Sequence, residues 1–215
     1  MKKTTVLALV SFAFYMVSCG PSQKITSSWI NKDADLSKKY TNIFILAMTQ
    51  NVAARNIVES DLANAAQAKG YKVFKSSEVF MNQFTSKETA PSKDSVLAKA
   101  ASLGCDAIFT VGLVDKTSET RYVPGMVSYS PYMGYGYGFG GYYGYMSPAM
   151  YSPGYYTTDK TYFMEAHVFD VATEKLVWSA QSEAYDPSSI SKFSRDYTAI
   201  VVEKISADFK SARKK

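Results

Sequence analysis

One α/β domain organised on a single mixed sheet is what this sequence predicts, and three observations carry the expectation. Ile43 to Met48 is a continuous apolar run of strand length, the pattern of a central strand covered on both faces, and Ala107 to Val114 reads as another apolar strand. Between them lie two stretches with apolar residues at helical spacing, so strand and helix alternate as in a parallel sheet with right-handed crossovers. After them, two strand-like segments flank a turn and run into a long amphipathic helix. The expected sheet has about five strands, partly parallel and ending in an antiparallel hairpin, packed by about three helices and interrupted by a Tyr/Gly-rich loop insertion.

At the amino terminus, Lys2 and Lys3 precede a nearly unbroken apolar run from Val6 to Val17. That run is about a dozen residues long, where a spanning helix needs about 20. Residues 1–18 therefore read as a signal peptide. Met16-Val17-Ser18-Cys19 closes it, and this tetrapeptide resembles the lipobox of bacterial lipoproteins, in which the cysteine is diacylated and becomes the first mature residue; Met stands where Leu is usual. Two or more palmitate-type chains on Cys19 would hold the protein on a bilayer. Gly20, not Asp, follows the cysteine, which by the same resemblance implies transfer to the outer membrane. No acidic cluster follows, which favours a domain facing the periplasm.

Residues 19–40 are polar and mixed in charge, and read as a lipid anchor and tether whose far end docks, with Trp29 plugging the domain edge. The domain itself is expected over 41–215. Its first strand, Ile43 to Met48, is followed by Ala54, Ile57, Val58, Leu62, Ala65 and Ala66 at helical spacing, with Thr49 or Asn51 as N-cap and Gly70 as the stop. Tyr71 to Lys75 alternates as a short strand. Met81 to Pro91 connects to a helix capped by Ser92, with Val96, Leu97, Ala100 and Leu103 inward and Gly104 at its end. Thr161 to Val171 and Lys175 to Ala184 form the hairpin, turning at 172–174. Ser188 or Ser189 then caps a helix whose Ile190, Phe193, Tyr197, Ile200, Val201, Ile205 and Phe209 share one face.

Between Arg121 and Asp159 lie 37 residues without a charge, holding 11 of the 17 tyrosines and 8 of the 12 glycines. So many glycines make a regular element costly, and a loop or a loosely paired hairpin extension over 122–158 is expected. Its Tyr135, Tyr137, Tyr142, Tyr143 and Tyr145 are candidate contacts, with flat faces and hydroxyl tips suited to a protein or glycan partner. The alternative is an adhesive low-complexity loop that folds back on its own domain or self-associates. Gly136 to Gly141 formally fits G-x-G-x-x-G, but it links no strand to a helix and is an accident of composition. Arg55 and Glu59, four apart on the first helix, are a further candidate contact pair, or else a surface ion pair.

Removing the leader with Lys2 and Lys3 leaves 22 basic against 19 acidic residues, too mild a balance for nucleic acid binding, and the tyrosine segment has no basic groove residues of its own. With Cys19 lipidated, Cys105 has no disulfide partner and is expected to be a buried small hydrophobe. His167 is the single histidine; with Glu165 alone beside it, no zinc set is complete. There is no phosphate-binding loop, no serine elbow and no Cys–His pair, and turn chemistry accounts for Asp170 and Glu174. An enzyme, a metal and a cofactor are therefore not expected.

Ser28-Trp29, Asn51 with Arg55 and Glu59, Gly104-Cys-Asp106-Ala107, Tyr122-Val-Pro-Gly125, the tyrosine-rich loop and Asp170-Val-Ala-Thr-Glu-Lys-Leu-Val-Trp178-Ser179 occur in an order that resembles a family of Gram-negative bacterial lipoproteins over most of the mature chain. Glu174 stands where such hairpins often carry Gly. The order of elements and the hairpin are also similar to the amino-terminal domain of TolB, the curli-secretion lipoprotein and the lipoprotein activator of penicillin-binding proteins. That resemblance implies a non-catalytic periplasmic module. The expected role is a lipid-anchored binding or adaptor module of the outer membrane, with an envelope protein or glycan as partner. The alternative is a structural or self-assembling lipoprotein.

Overall fold

The computed structural model describes residues 22–35, 37–81, 83–86, 88–123 and 155–213. In chain order these form β1 (Gln23–Ile30), β2 (Asn42–Met48), α1 (Val52–Ala68), β3 (Lys72–Lys75), α2 (Ser76–Val79), α3 (Lys93–Ser102), β4 (Ala107–Val123), β5 (Tyr155–Asp170), β6 (Leu176–Tyr185) and α4 (Ile190–Ala212). The strands make one mixed sheet in the order β1-β6-β5-β4-β2-β3. β2 runs parallel to both β3 and β4, and every other pair is antiparallel. The expected α/β class holds, with six strands rather than five and with four helices among the described residues.

β2 is the strand the domain closes around. Phe44, Ile45, Leu46 and Ala47 are all buried, alternately toward two cores on opposite faces of the sheet. On one face α1 and α4 cover Ile45, Ala47, Phe109, Val168 and Trp178; on the other α2 and α3 cover Phe44, Leu46 and Ile108. The local signals act as expected. Asn51 accepts from the Ala54 N–H at the start of α1, Ser92 from the Ser95 N–H at α3, and Ser189 from the Lys192 N–H at α4. Gly70 and Gly104, with φ of +90° and +71°, turn the chain out of α1 and α3. Cys105 is buried in the second core, and burial raises its thiol to about 11.

Two readings need correction. The stretch expected as a tether is already a strand by Gln23, where β1 adds to the sheet edge against β6. Buried Gln23 donates from Nε2 to the Phe193 carbonyl, while Trp29 is 50% exposed on this edge strand and plugs nothing. The strand expected over Ala107 to Val114 continues to Val123, and its partner begins at Tyr155, so the ends of the expected loop are a paired hairpin extension.

Candidate functional site

The antiparallel pair β4–β5 outlasts the sheet that supports it. β2 leaves β4 at the Met48↔Gly112 pair, and a register shift follows between Leu113 and Asp115, the kind of irregularity that bends and twists a strand. β6 leaves β5 at Thr161↔Tyr185. Beyond that point the six pairs from Ser118↔Lys160 to Val123↔Tyr155 form a two-stranded arm about 20 Å long. Thr120 and Thr158 hydrogen-bond across it at 3.1 Å. At its base, Arg121 pairs with Asp159 at 2.9 Å and the Tyr185 hydroxyl donates to Asp159 at 2.6 Å. Tyr155 is 65% exposed at the far end.

The amino-terminal chain enters at the foot of this arm. The Tyr185 N–H donates to the Ser22 carbonyl at 2.7 Å, and the Asp186 N–H donates to the Lys160 carbonyl at 2.7 Å. Cys19 is three residues before Ser22, within about 11 Å by chain reach. Cys19 itself lies outside the described residues, as do Tyr135, Tyr137, Tyr142, Tyr143 and Tyr145.

Arg55 and Glu59 do not form a contact surface. They are 1% and 0% exposed and are not paired with each other. Glu59 accepts from the Ala47 N–H at 2.9 Å, from the Ser76 hydroxyl and from the Ser77 N–H at 2.8 Å, so one carboxylate joins the end of β2 to the start of α2. Arg55 donates through Nη1 to the Gln83 carbonyl at 2.8 Å, with its guanidinium 5.2 Å from the centre of the Phe84 ring. Phe84 has φ +68°, a backbone that side chains rarely adopt. The pair thus fixes a loop from within. The sequence held the signal: 55, 58, 59 and 62 are the i, i+3, i+4, i+7 positions of one stripe, shared with buried Val58 and Leu62.

Two other carboxylates organise the sheet's opposite end. Asp106 accepts from the Thr41 N–H, the Thr41 hydroxyl and the Asn42 N–H, setting the start of β2 beside β4. Asp170 accepts from Lys38, Tyr40 and both the N–H and hydroxyl of Thr173. Burial alone would raise the Asp170 carboxyl; the bonds from Lys38 and Thr173 outweigh it and bring it down to about 2. This is turn chemistry, as expected.

His167 and Glu165 lie toward the β1–β6–β5 half of the sheet face that α2 and α3 leave open. Their nearest atoms are 3.4 Å apart, and Glu165 also accepts from Gln181, which in turn accepts from Ser27. The result is a polar ladder across strands. Among the described residues no group of three or more His, Cys, Asp or Glu could hold a metal ion, and no helix is long and apolar enough to cross a membrane.

No protein-family model matches the sequence, and no curated protein matches it either. Among solved structures, the chain is similar to the PelC dodecamer from Paraburkholderia phytofirmans, at 15% identity and a TM-score of 0.42 over 84% of this chain and 93% of that one. It is also similar to lipoprotein GNA1162 from Neisseria meningitidis, at 17% identity and 0.40 over 78% and 99%, and to a PDZ domain protein from Parabacteroides distasonis, at 9% identity and 0.37 over 90% and 39%. Likenesses this distant carry no role across to this chain.

Proposed function

We propose that this chain is a lipid-anchored, periplasm-facing lipoprotein of the outer membrane that acts as a non-catalytic binding module, with the β4–β5 arm as its contact element. The observation that carries the reading is the shared origin of arm and anchor. Ser22 sits against Tyr185 at the foot of the arm, so an acylated Cys19 within about 11 Å keeps the arm at the bilayer side of the domain. The arm leads into the uncharged, tyrosine-rich segment, whose side chains suit the boundary between water and an apolar surface. A partner protein or glycan at the bilayer surface is the chemistry such a contact element fits.

The test has two parts. Labelled palmitate should be incorporated into the full-length protein and lost on Cys19→Ser. In-cell crosslinking and pull-down should then yield an envelope partner that disappears when 124–154 is replaced by Asn-Gly, a turn that keeps the Val123↔Tyr155 pair. Palmitate incorporation that survives Cys19→Ser contradicts the anchor. Identical partners with and without the segment contradict the tyrosine-rich segment at the arm's tip as the contact, and adducts to the protein alone favour a self-assembling lipoprotein.

A further inference from the structure

The apolar line of α4 outruns its packing. Phe193, Tyr197, Val201, Ile205 and Phe209 recur every four residues, and the first three are buried, but Ile205 and Phe209 are only partly so. There the last turns of α1 and α4 and the floor of β2, β4 and β5 enclose a cavity of about 730 Å³, within the roughly 300–1,000 Å³ range of small-molecule sites. Ile43, Ile45, Leu62, Val202, Ile205 and Phe209 form its apolar walls. Lys39, Lys69, Lys210 and Arg213 stand around it, all four exposed, and no carboxylate lines it. Acids at this end of the sheet or beside the lining are engaged elsewhere: Asp170 by Lys38, Tyr40 and Thr173, Asp106 by Thr41 and Asn42, and Asp208 by Trp178 and Lys204.

We propose that this cavity binds a long-chain fatty acid, with the alkyl chain between α1, α4 and the sheet and the carboxylate at the basic mouth. The occupant follows from what the walls offer. A peptide strand would need partners for its backbone N–H and C=O groups, yet β2, β4 and β5 are interior strands whose own backbone groups are paired on both sides. A partner helix is about 10 Å wide, so the space would hold only about two turns of it. An alkyl chain has no polar groups to satisfy. The carboxyl-terminal ends of α1 and α4 also face the mouth and oppose an anion, but each counts for only about half a charge against the full charges of Lys39, Lys69 and Lys210. The site is separate from the arm and does not rest on its role.

The test is photolabelling of the full-length protein in its native membranes with a diazirine analogue of palmitic acid. Adducts should map to peptides containing Leu62, Ile205 or Phe209, and free palmitate should compete for them while methyl palmitate competes weakly. In Lys69→Glu/Lys210→Glu, labelling should fall about tenfold while circular dichroism shows the fold retained, as two attracting charges become repelling. Ile205→Trp, which narrows the space beside Phe209, should weaken the labelling as well. Adducts confined to other peptides, equal competition by the methyl ester, or labelling unaffected by the charge reversal would each overturn the proposal. So would a polypeptide adduct trapped by a photoreactive residue at position 205.

Discussion

Glu59 shows how much one buried side chain can hold when its acceptor capacity is filled. Its two oxygens receive Ala47, Ser76 and Ser77, and the first two of these donors are buried with no water to turn to if the carboxylate is removed. Glu59→Ala should therefore cost about 3–5 kcal/mol in urea unfolding, while Glu59→Gln, which keeps one acceptor oxygen, should cost about 1–2 kcal/mol. Asp170 gives the pH counterpart. Its carboxyl titrates near 2 in the folded protein against an ordinary value of 3.8, so the unfolded chain takes up the proton first as pH falls. The stabilisation is complete above about pH 4 and is lost as pH falls toward 2, and it amounts to about 2 kcal/mol. Asp170→Asn should be less stable than the natural protein by that amount at pH 7, and the gap should close near pH 2. Urea titrations of both proteins at the two pH values check it; a gap that persists at pH 2 would assign the cost to lost packing.

At the scale of elements, the hairpin and the last helix are tied by Trp178, fully buried in β6, whose Nε1–H donates to Asp208 on α4 at 2.9 Å. Asp208 is itself held by Lys204, and its carboxyl lies below the ordinary value, because the bonds from Trp178 and Lys204 outweigh the opposing effect of burial. Trp178→Ala should cost about 3–5 kcal/mol, mainly through the cavity it leaves, measured as a drop in the urea midpoint at constant m-value. Elements of this kind were legible in the sequence because burial writes a period. β2 shows the unbroken apolar run of a doubly covered strand, and α4 shows a four-residue repeat. β1 was not legible: its inward positions include Gln23, and a register shift between Ile25 and Ser27 breaks the alternation. The arm was legible only as one of two alternatives over 122–158, and its extension back to Ser118 and Lys160 was missed for a related reason. Both faces of a free ribbon meet water, so Ser118, Glu119, Thr120, Thr158 and Lys160 carry no apolar period, and their pairing joins residues some 40 positions apart. Glu174, where a glycine is more usual, takes φ +57° in the β5–β6 turn, so the left-handed turn forms without the residue that would have announced it.

For the whole molecule, the reading rests on polarity along the sheet axis. One end gathers the chain entry at Ser22 and the foot of the arm. The other gathers Asp106, Asp170 and the mouth of the α1–α4 cavity. Arg55 and Glu59, attractive from the sequence as contacts, serve the interior, which leaves the arm as the element with no internal task. The measurement that tests this most directly is site-specific photocrosslinking in living cells, with a photoreactive residue at Tyr155 on the arm and, in a second strain, at Lys69 on the opposite end. The account predicts a discrete adduct with an envelope protein or glycan from position 155 and none of that size from position 69. The same adducts from both positions, or none from 155, would contradict it.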